Sequence, residues 1–226
     1  ATGTSIKIDA ETVLYVPQDD RPVSLQYTVD TAREAGMTIL TPPQNLISGK
    51  NYQGQADQIM AWVEQNAGRA DVMVLSTDTL IYGGLVDSRK HNIPLTTLES
   101  RLKRIESLKA RNKNVRIYGF GTVMRSPRAS GGGTEPAYYA EYGPTIFQIA
   151  ALQDKLDSGS LTQEETQKLM SLQASVPVEY LQDWFDRRQK NMKINKELID
   201  ETRSGVFNYF ALGHDDTSQL SQSALE

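Results

Sequence analysis

Pairs of adjacent aspartates occur at two places in the chain, each shortly after a predicted β-strand. Asp19 and Asp20 follow the first strand, and Asp215 and Asp216 follow the last one. Adjacent carboxylates repel each other, and this repulsion is tolerated where the pair binds a cation, accepts hydrogen bonds from sugar hydroxyl groups or exchanges a proton. The two pairs are therefore candidates for catalytic or ligand-binding residues.

Further residues of suitable chemistry follow the same strands. They are Arg21 beside the first pair, His214 beside the second, Asp78, Tyr82 and Arg89 after the third strand, and Arg125 after the fourth. Because the loops at the carboxyl ends of parallel strands converge, we expect these side chains to form one site. The catalytic candidates are Asp19, Asp78, Asp215 and Asp216, and the other residues, with Asp20, are candidates for substrate binding.

Short apolar runs that alternate with helical patterns predict the elements that position this site. Five strands are expected, near residues 12–16, 37–40, 71–76, 115–120 and 206–212. Such alternation is typical of βα units around a parallel sheet. The predicted fold class is therefore α/β, either Rossmann-like or part of a (β/α) barrel. A complete eight-stranded barrel needs about 250 residues, so five strands indicate the front part of a larger protein.

The alternation stops before the fifth strand. No strand pattern occurs in residues 134–204, where helices are predicted at 144–156, 162–172 and 177–203. Apolar residues stripe one face of the last helix, which favours a role in the core. They are Tyr180, Leu181, Trp184, Phe185, Met192 and Leu198. We expect an α/β domain made of residues 1–133 and 205–226, interrupted by a helical insertion at 134–204.

Composition excludes several classes of protein. The 226 residues carry a net charge of −4 and form no basic stripe, so nucleic acid is not an expected partner. The chain has no cysteine, which excludes disulfides and thiolate metal sites, and its apolar runs are too short to cross a membrane. These features leave the compartment open, since they suit the cytosol and a bacterial surface equally.

Several single residues also have ordinary structural interpretations. An aspartate after a strand is commonly a helix cap, and Arg21 can form an ion pair beside Asp20. Gly83 and Gly84 lack the GxGxxG spacing and the P-loop lysine, which favours close backbone packing over phosphate binding. His91 follows a charged stretch and is expected in a solvated loop.

Four segments resemble the bacterial family catalogued as domain of unknown function 4127. They are VLYVPQDDRPVSLQY, LSTDTLIYGGLVDSR, YGFGTVMRSPR and YFALGHDDTSQLSQSALE. Members of the family show VPLDDRP, STDMLAYGGLVASR, FGTIMRLPR and then LGRDD followed by Ser-Gln and Glu, in the same order. The departures of the chain from this pattern include Gln18, Asp87 and His214, where the family has leucine, alanine and arginine.

The resemblance implies that the candidate residues occupy motif positions, and it adds Glu226 as a further candidate for substrate binding. It brings no assigned activity. Members of the family are longer than this chain, which implies that a C-terminal half of the full-length protein is absent here. That half is then the expected partner of the sheet. The change at position 214 removes one expected positive charge, so the resemblance does not define the role of His214.

Three functions fit this set of residues. The first is a hydrolase that acts on a carbohydrate, since paired carboxylates supply the acid and the base or nucleophile of glycosidic cleavage. The second is a hydrolase or transferase for an anionic substrate, in which aspartates and His214 bind Mg²⁺ or Mn²⁺. The third is a ligand-binding or surface protein without catalysis. We prefer the first function, the carbohydrate hydrolase, which needs no cofactor. Its expected substrate is a small molecule.

Overall fold

One mixed sheet organises the chain. The computed structural model describes residues 11–213 and the backbone of residues 221 and 222. The strands in these residues are β1 (Thr12–Val16), β2 (Thr38–Leu40), β3 (Val72–Ser76), β4 (Arg116–Thr122), β5 (Tyr209–Gly213) and β6 (Ser221–Gln222). Their order in the sheet is β2-β1-β3-β4-β5-β6; the first five are parallel, and β6 is antiparallel to β5.

This strand order decides between the two predicted architectures. β1 lies between β2 and β3. The chain therefore adds β2 on one side of β1 and then adds β3, β4 and β5 on the other side. In a barrel, consecutive strands would be neighbours, and β2 would pair with β3. The protein therefore has an open, doubly wound α/β fold of the Rossmann-like kind. The five predicted parallel strands are confirmed.

Helices cover both faces of the sheet. They are α1 (Gln26–Glu34), α2 (Ala56–Asn66), α3 (Thr77–Tyr82), α4 (Leu85–Lys90), α5 (Leu95–Arg111), α6 (Tyr139–Asp157), α7 (Gln163–Ala174) and α8 (Val178–Arg203). Strand residues such as Leu14 and Met73 are fully buried in one hydrophobic cluster with Ile59 of α2 and Ile105 of α5. In the described part of the chain, no helix combines the length and the apolar character that a membrane span requires.

The fifth strand starts three residues later than predicted. The Asn208 side chain accepts a hydrogen bond that a backbone carbonyl would accept in a regular strand pair: the Ile117 N–H donates to Asn208 Oδ1 at 2.9 Å. The Asn208 N–H in turn donates to the Ile117 carbonyl oxygen at 2.8 Å. Side-chain hydrogen bonds of this type compete with the strand ladder, so regular pairing begins only at Tyr209.

Residues 134–204 contain three helices and no strand, as expected. The first of these helices starts five residues earlier than predicted and contains Pro144. Its first residue, Tyr139, is fully buried against Trp184, and a methyl group on Gly143 would collide with the Tyr139 ring at 2.5 Å. This burial outweighs the lost hydrogen bond at the proline. The division into a domain and an insertion stays a prediction.

The buried face of α8 is more polar than the sequence pattern predicts. Met192, assigned to the core stripe, is 56% exposed, whereas Trp184 and Leu198 are buried as expected. Arg187 and Asn191 are buried instead, on the same face of the helix. A prediction from the helical spacing of apolar residues places only these residues in the core. It overlooks polar residues that are buried because they form hydrogen bonds with backbone groups.

The contact between α5 and α8 predicts a pH-dependent stability. Glu106 and Glu201 share a hydrogen bond, and partial burial together with this pairing raises the pKa of Glu201 from 4.5 to about 7. A carboxyl group whose pKa is raised by folding holds its proton more tightly in the folded state, so stability falls as pH rises through this interval. Glu201→Gln should raise the melting temperature at about pH 8 and leave it nearly unchanged at about pH 4. Equal melting temperatures for the two proteins at the higher pH would contradict this.

Candidate functional site

The candidate site lies where the strand order reverses. β1 and β3 are neighbours, and the connections that leave them run to opposite sides. In open α/β sheets, ligands bind in the crevice at the carboxyl ends of such a strand pair. Asp19 follows β1 and Asp78 follows β3, so two of the predicted catalytic residues flank this crevice.

Asp78 is held at the start of α3 by the neighbouring strands. The Ser76 hydroxyl caps the helix by accepting a hydrogen bond from the Thr79 N–H at 3.2 Å. The Thr79 hydroxyl donates to the carbonyl oxygen of Pro17, after β1, at 2.6 Å. On the other side, the Thr122 hydroxyl of β4 donates to Asp78 Oδ2 at 2.6 Å. Three adjacent strands thus fix the position of this carboxyl group.

Burial changes the acidity of Asp78. The residue is 1% exposed, and burial raises its pKa from 3.8 to about 7, although the Thr122 hydrogen bond and the Arg89 charge act in the opposite direction. A carboxyl group with a pKa near 7 can donate and recover a proton at neutral pH, which an ordinary aspartate does not do.

Tyr82 and Arg89 both interact electrostatically with Asp78. Burial, together with the Asp78 charge, raises the pKa of the Tyr82 hydroxyl well above its usual range. This hydroxyl is buried and has no hydrogen-bond partner in the part of the chain that the structure describes. Arg89 is half-buried, and within residues 11–213 its guanidinium group forms no hydrogen bond or ion pair with a side chain. Both side chains have unused hydrogen-bonding capacity.

The loop after β1 carries a second set of polar groups. Asp19 is 6% exposed and accepts hydrogen bonds from Arg21, from Nε at 2.8 Å and from the backbone N–H at 3.2 Å. Among the described residues, Arg21 thus forms an ion pair with Asp19 and not with Asp20. The Asp20 carboxylate accepts a hydrogen bond from the Tyr52 hydroxyl, a contact for which the sequence offered no signal.

Glycines allow the loops around the site to approach each other closely. Methyl groups on Gly54 and Gly84 would lie 1.8 Å from the Gly83 carbonyl oxygen and 1.9 Å from the Ser48 hydroxyl. Gly83 ends α3 with a φ of 109°, in the left-handed region that disfavours other residues. The predicted close backbone packing at Gly83 and Gly84 is confirmed.

His91 is buried, contrary to the expected solvated loop, because α8 covers it. The Ile93 N–H donates to His91 Nδ1 at 3.2 Å, so Nε2 carries the proton and donates to Asn191 Oδ1 at 2.7 Å. Burial lowers the pKa of His91 to about 4, which keeps the ring neutral. The Arg187 Nε also donates to the His91 carbonyl oxygen at 2.6 Å.

Part of the predicted site lies outside the described residues. This applies to His214, Asp215, Asp216 and Glu226. The last described residue of β5, Gly213, pairs with Thr122, and Arg125 is an exposed residue shortly after β4. Among the residues that the structure describes, no cluster of three or more acidic or histidine side chains is arranged to hold a metal ion.

The fold and the site define an α/β protein with a buried, weakly acidic carboxyl group at the reversal point of a doubly wound sheet. Residues 13–226 match the family described as Protein of unknown function (DUF4127), and the chain belongs to this family. No curated protein and no solved structure matches the chain.

The packing around Gly54 can be tested by substitution. Gly54→Ala places a methyl group against a backbone oxygen and should lower the free energy of unfolding by roughly 1–3 kcal/mol, as overpacking does. Gly68→Ala is the matched control, since its methyl group meets no described atom within 4 Å. Urea denaturation measures both variants. Equal stability of the two would show that the loop moves away without cost.

The raised pKa of Asp78 predicts the stability of a variant. Because the folded state holds this proton more tightly, the wild-type protein loses stability as pH rises from 3.8 to about 7. Asp78→Asn keeps an acceptor for Thr122 and removes this loss, which is on the order of a few kcal/mol. The free energy of unfolding, measured by denaturation at about pH 5 and about pH 8, should therefore differ less between the two pH values for the variant than for the wild-type protein. An unchanged difference would contradict the assigned pKa.

Proposed function

We propose that the protein is a hydrolase that acts on a carbohydrate, with Asp78 as the proton donor. The observation that carries this proposal is the burial of Asp78 between β1, β3 and β4, with a pKa of about 7. Glycosidic cleavage needs one carboxyl group that is protonated at the working pH and a second that is ionised. Asp78 supplies the chemistry of the first group.

Asp19 is the described candidate for the second carboxylate. Its ion pair with Arg21 at 2.8 Å provides a positively charged partner, whereas the direct hydrogen-bond donor to Asp78 is the neutral Thr122 hydroxyl. Two carboxyl groups in such different environments can divide the roles of acid and base. By sequence position, Asp215 and Asp216 remain candidates for the same role.

The polar groups near the two aspartates suit a sugar. A sugar hydroxyl both donates and accepts hydrogen bonds, so carboxylates and guanidinium groups bind it together. Arg89 is half-buried near Asp78, and Asp20 lies beside the Asp19–Arg21 pair. In this proposal, Arg21, Tyr82 and Arg125 contribute further contacts to the substrate.

One observation favours a second candidate function. The positive charge of Arg89 near Asp78 also suits an anionic substrate. In that case Asp19 and Asp78, with Asp215 and His214, would bind Mg²⁺ or Mn²⁺, and arginines would bind the anion. Thermal denaturation in a titration with each metal separates the candidates: a large shift supports the metal-dependent enzyme, and no shift supports the carbohydrate hydrolase.

Substitution of Asp78 tests the proposed function. With a panel of chromogenic glycosides, Asp78→Asn should lower turnover by about 10²–10⁴-fold, the usual contribution of a general acid. The fold should remain intact. Asp30→Asn is the control, because Asp30 is an exposed residue of α1 that bonds only to Gln26 among the described residues.

Two outcomes would contradict the proposal. If the wild-type protein hydrolyses no glycoside of the panel, the function is wrong. If Asp78→Asn retains full turnover while Asp30→Asn behaves identically, glycosides are substrates but Asp78 is not the proton donor.

A further inference from the structure

A cleft of about 490 Å³ opens beside α3, α2 and α5. Gln55 and Pro94, which precede α2 and α5, lie in its wall, so both helices begin there. Tyr82 lines the cleft and also lies within electrostatic range of Asp78. The cleft therefore adjoins the proposed catalytic residue. Its volume is in the range of pockets that bind small molecules.

The charges of the cleft cancel. Its charged side chains are two acids, Asp57 and Asp87, and two bases, Lys90 and Arg101. The Arg101 guanidinium is already bonded to Asp57, with Nε at 3.1 Å, and to the Ile81 carbonyl oxygen at 2.7 Å. Because two acids face two bases, the cleft has no net charge to attract an ionic ligand.

Neutral hydrogen-bonding groups make up much of the remaining wall. Gln53, Gln55, Gln58, Asn92 and Thr97 all line the cleft. Carboxamide and hydroxyl groups can both donate and accept hydrogen bonds. A sugar ring, whose hydroxyl groups also both donate and accept hydrogen bonds, is a suitable ligand for such a wall.

The aromatic part of the wall is rigid and contains an unsatisfied group. The Tyr82 and His91 rings stack with their centroids 4.8 Å apart, and the hydrogen bonds of His91 to Asn191 and Ile93 fix its ring. Tyr82 is 6% exposed, and its hydroxyl has no partner among the described residues. A buried polar group without a partner costs stability unless a ligand satisfies it.

We propose that this cleft binds an uncharged sugar residue of the substrate, with Gln58 and the Tyr82 hydroxyl among its hydrogen-bonding groups. This inference rests on the proposed function for its substrate class. It adds that the enzyme recognises a sugar unit beyond the bond that is cleaved, and that this unit is neutral. Oligosaccharides are therefore better substrates than glycosides of a single sugar.

Binding measurements on the full chain test the cleft without relying on turnover. Cello-, xylo-, manno- and malto-oligosaccharides are titrated into ¹⁵N-labelled protein, with inorganic phosphate and glucuronate as anionic probes. A neutral oligosaccharide should shift the amide signals of Gly54 and Ile93. Gln58→Ala should weaken its binding roughly threefold to tenfold, the effect of one lost hydrogen bond. Gln65→Ala, an exposed residue of α2 that does not line the cleft, should leave binding unchanged.

A tyrosine pair separates a binding role from a structural one. Tyr82→Phe removes a hydroxyl that has no partner among the described residues, so the melting temperature should stay the same or rise while binding weakens. Tyr139→Phe removes a hydroxyl that donates to the Pro127 carbonyl oxygen at 2.6 Å, so it should lower the melting temperature and leave binding unchanged.

The outcomes distinguish this inference from the proposed function. Binding of the anions alone, or no binding of any oligosaccharide, overturns the inference. Sugar binding that shifts other amides and is insensitive to Gln58→Ala also overturns it, while hydrolysis dependent on Asp78 would stand. Sugar binding in the cleft without hydrolysis supports the inference and overturns the proposed enzyme.

Discussion

The candidate site depends on the hydrogen bond between the Thr122 hydroxyl and the buried Asp78 carboxyl group, because through this bond the sheet positions the carboxyl group. The bond measures 2.6 Å and connects α3, which follows β3, to the end of β4. Desolvation pushes this carboxyl group towards its neutral form, and the hydrogen bond limits that effect. The geometry depends on parallel pairing of β3 with β4, because only the register that sets Ser76 beside Phe120 places Thr122 next to α3.

The buried polar face of α8 supports the same region from outside the sheet. Asn195 Nδ2 donates to the Thr122 carbonyl oxygen at 3.2 Å, and Asn191 Nδ2 donates to the Ser88 carbonyl oxygen at 2.7 Å. Arg187 follows the same spacing and binds the His91 carbonyl oxygen. These side chains satisfy backbone carbonyls at the ends of β4 and α4, which helices and strands cannot satisfy internally. The helical segment thus holds the candidate site in place.

The sequence predicted the sheet well because its signals there are strong. Apolar runs such as that of β3 mark buried parallel strands, and polar residues at their carboxyl ends mark the crevice, so Asp19 and Asp78 were found together. The sequence did not reveal the order of β1 and β2 or the burial of His91, because both depend on contacts between distant segments. Spacing could have drawn attention to Arg187, Asn191 and Asn195, which recur every four residues on the face that carries Ile194 and Leu198.

The composition of α3 is a physical argument for a working site. All six of its residues are buried, and a helix that served only the core would be most stable with apolar side chains throughout. Instead, Asp78 and Tyr82 lie one turn apart on the same face. Asp78 has a raised pKa, and the Tyr82 hydroxyl has no partner within residues 11–213. Both features cost stability in the free protein, and natural proteins keep such costs mainly where function requires them. In the proposed function, the glycosidic oxygen of a bound sugar would receive the aspartate's proton, and a sugar hydroxyl would satisfy the tyrosine. One ligand would then offset both costs.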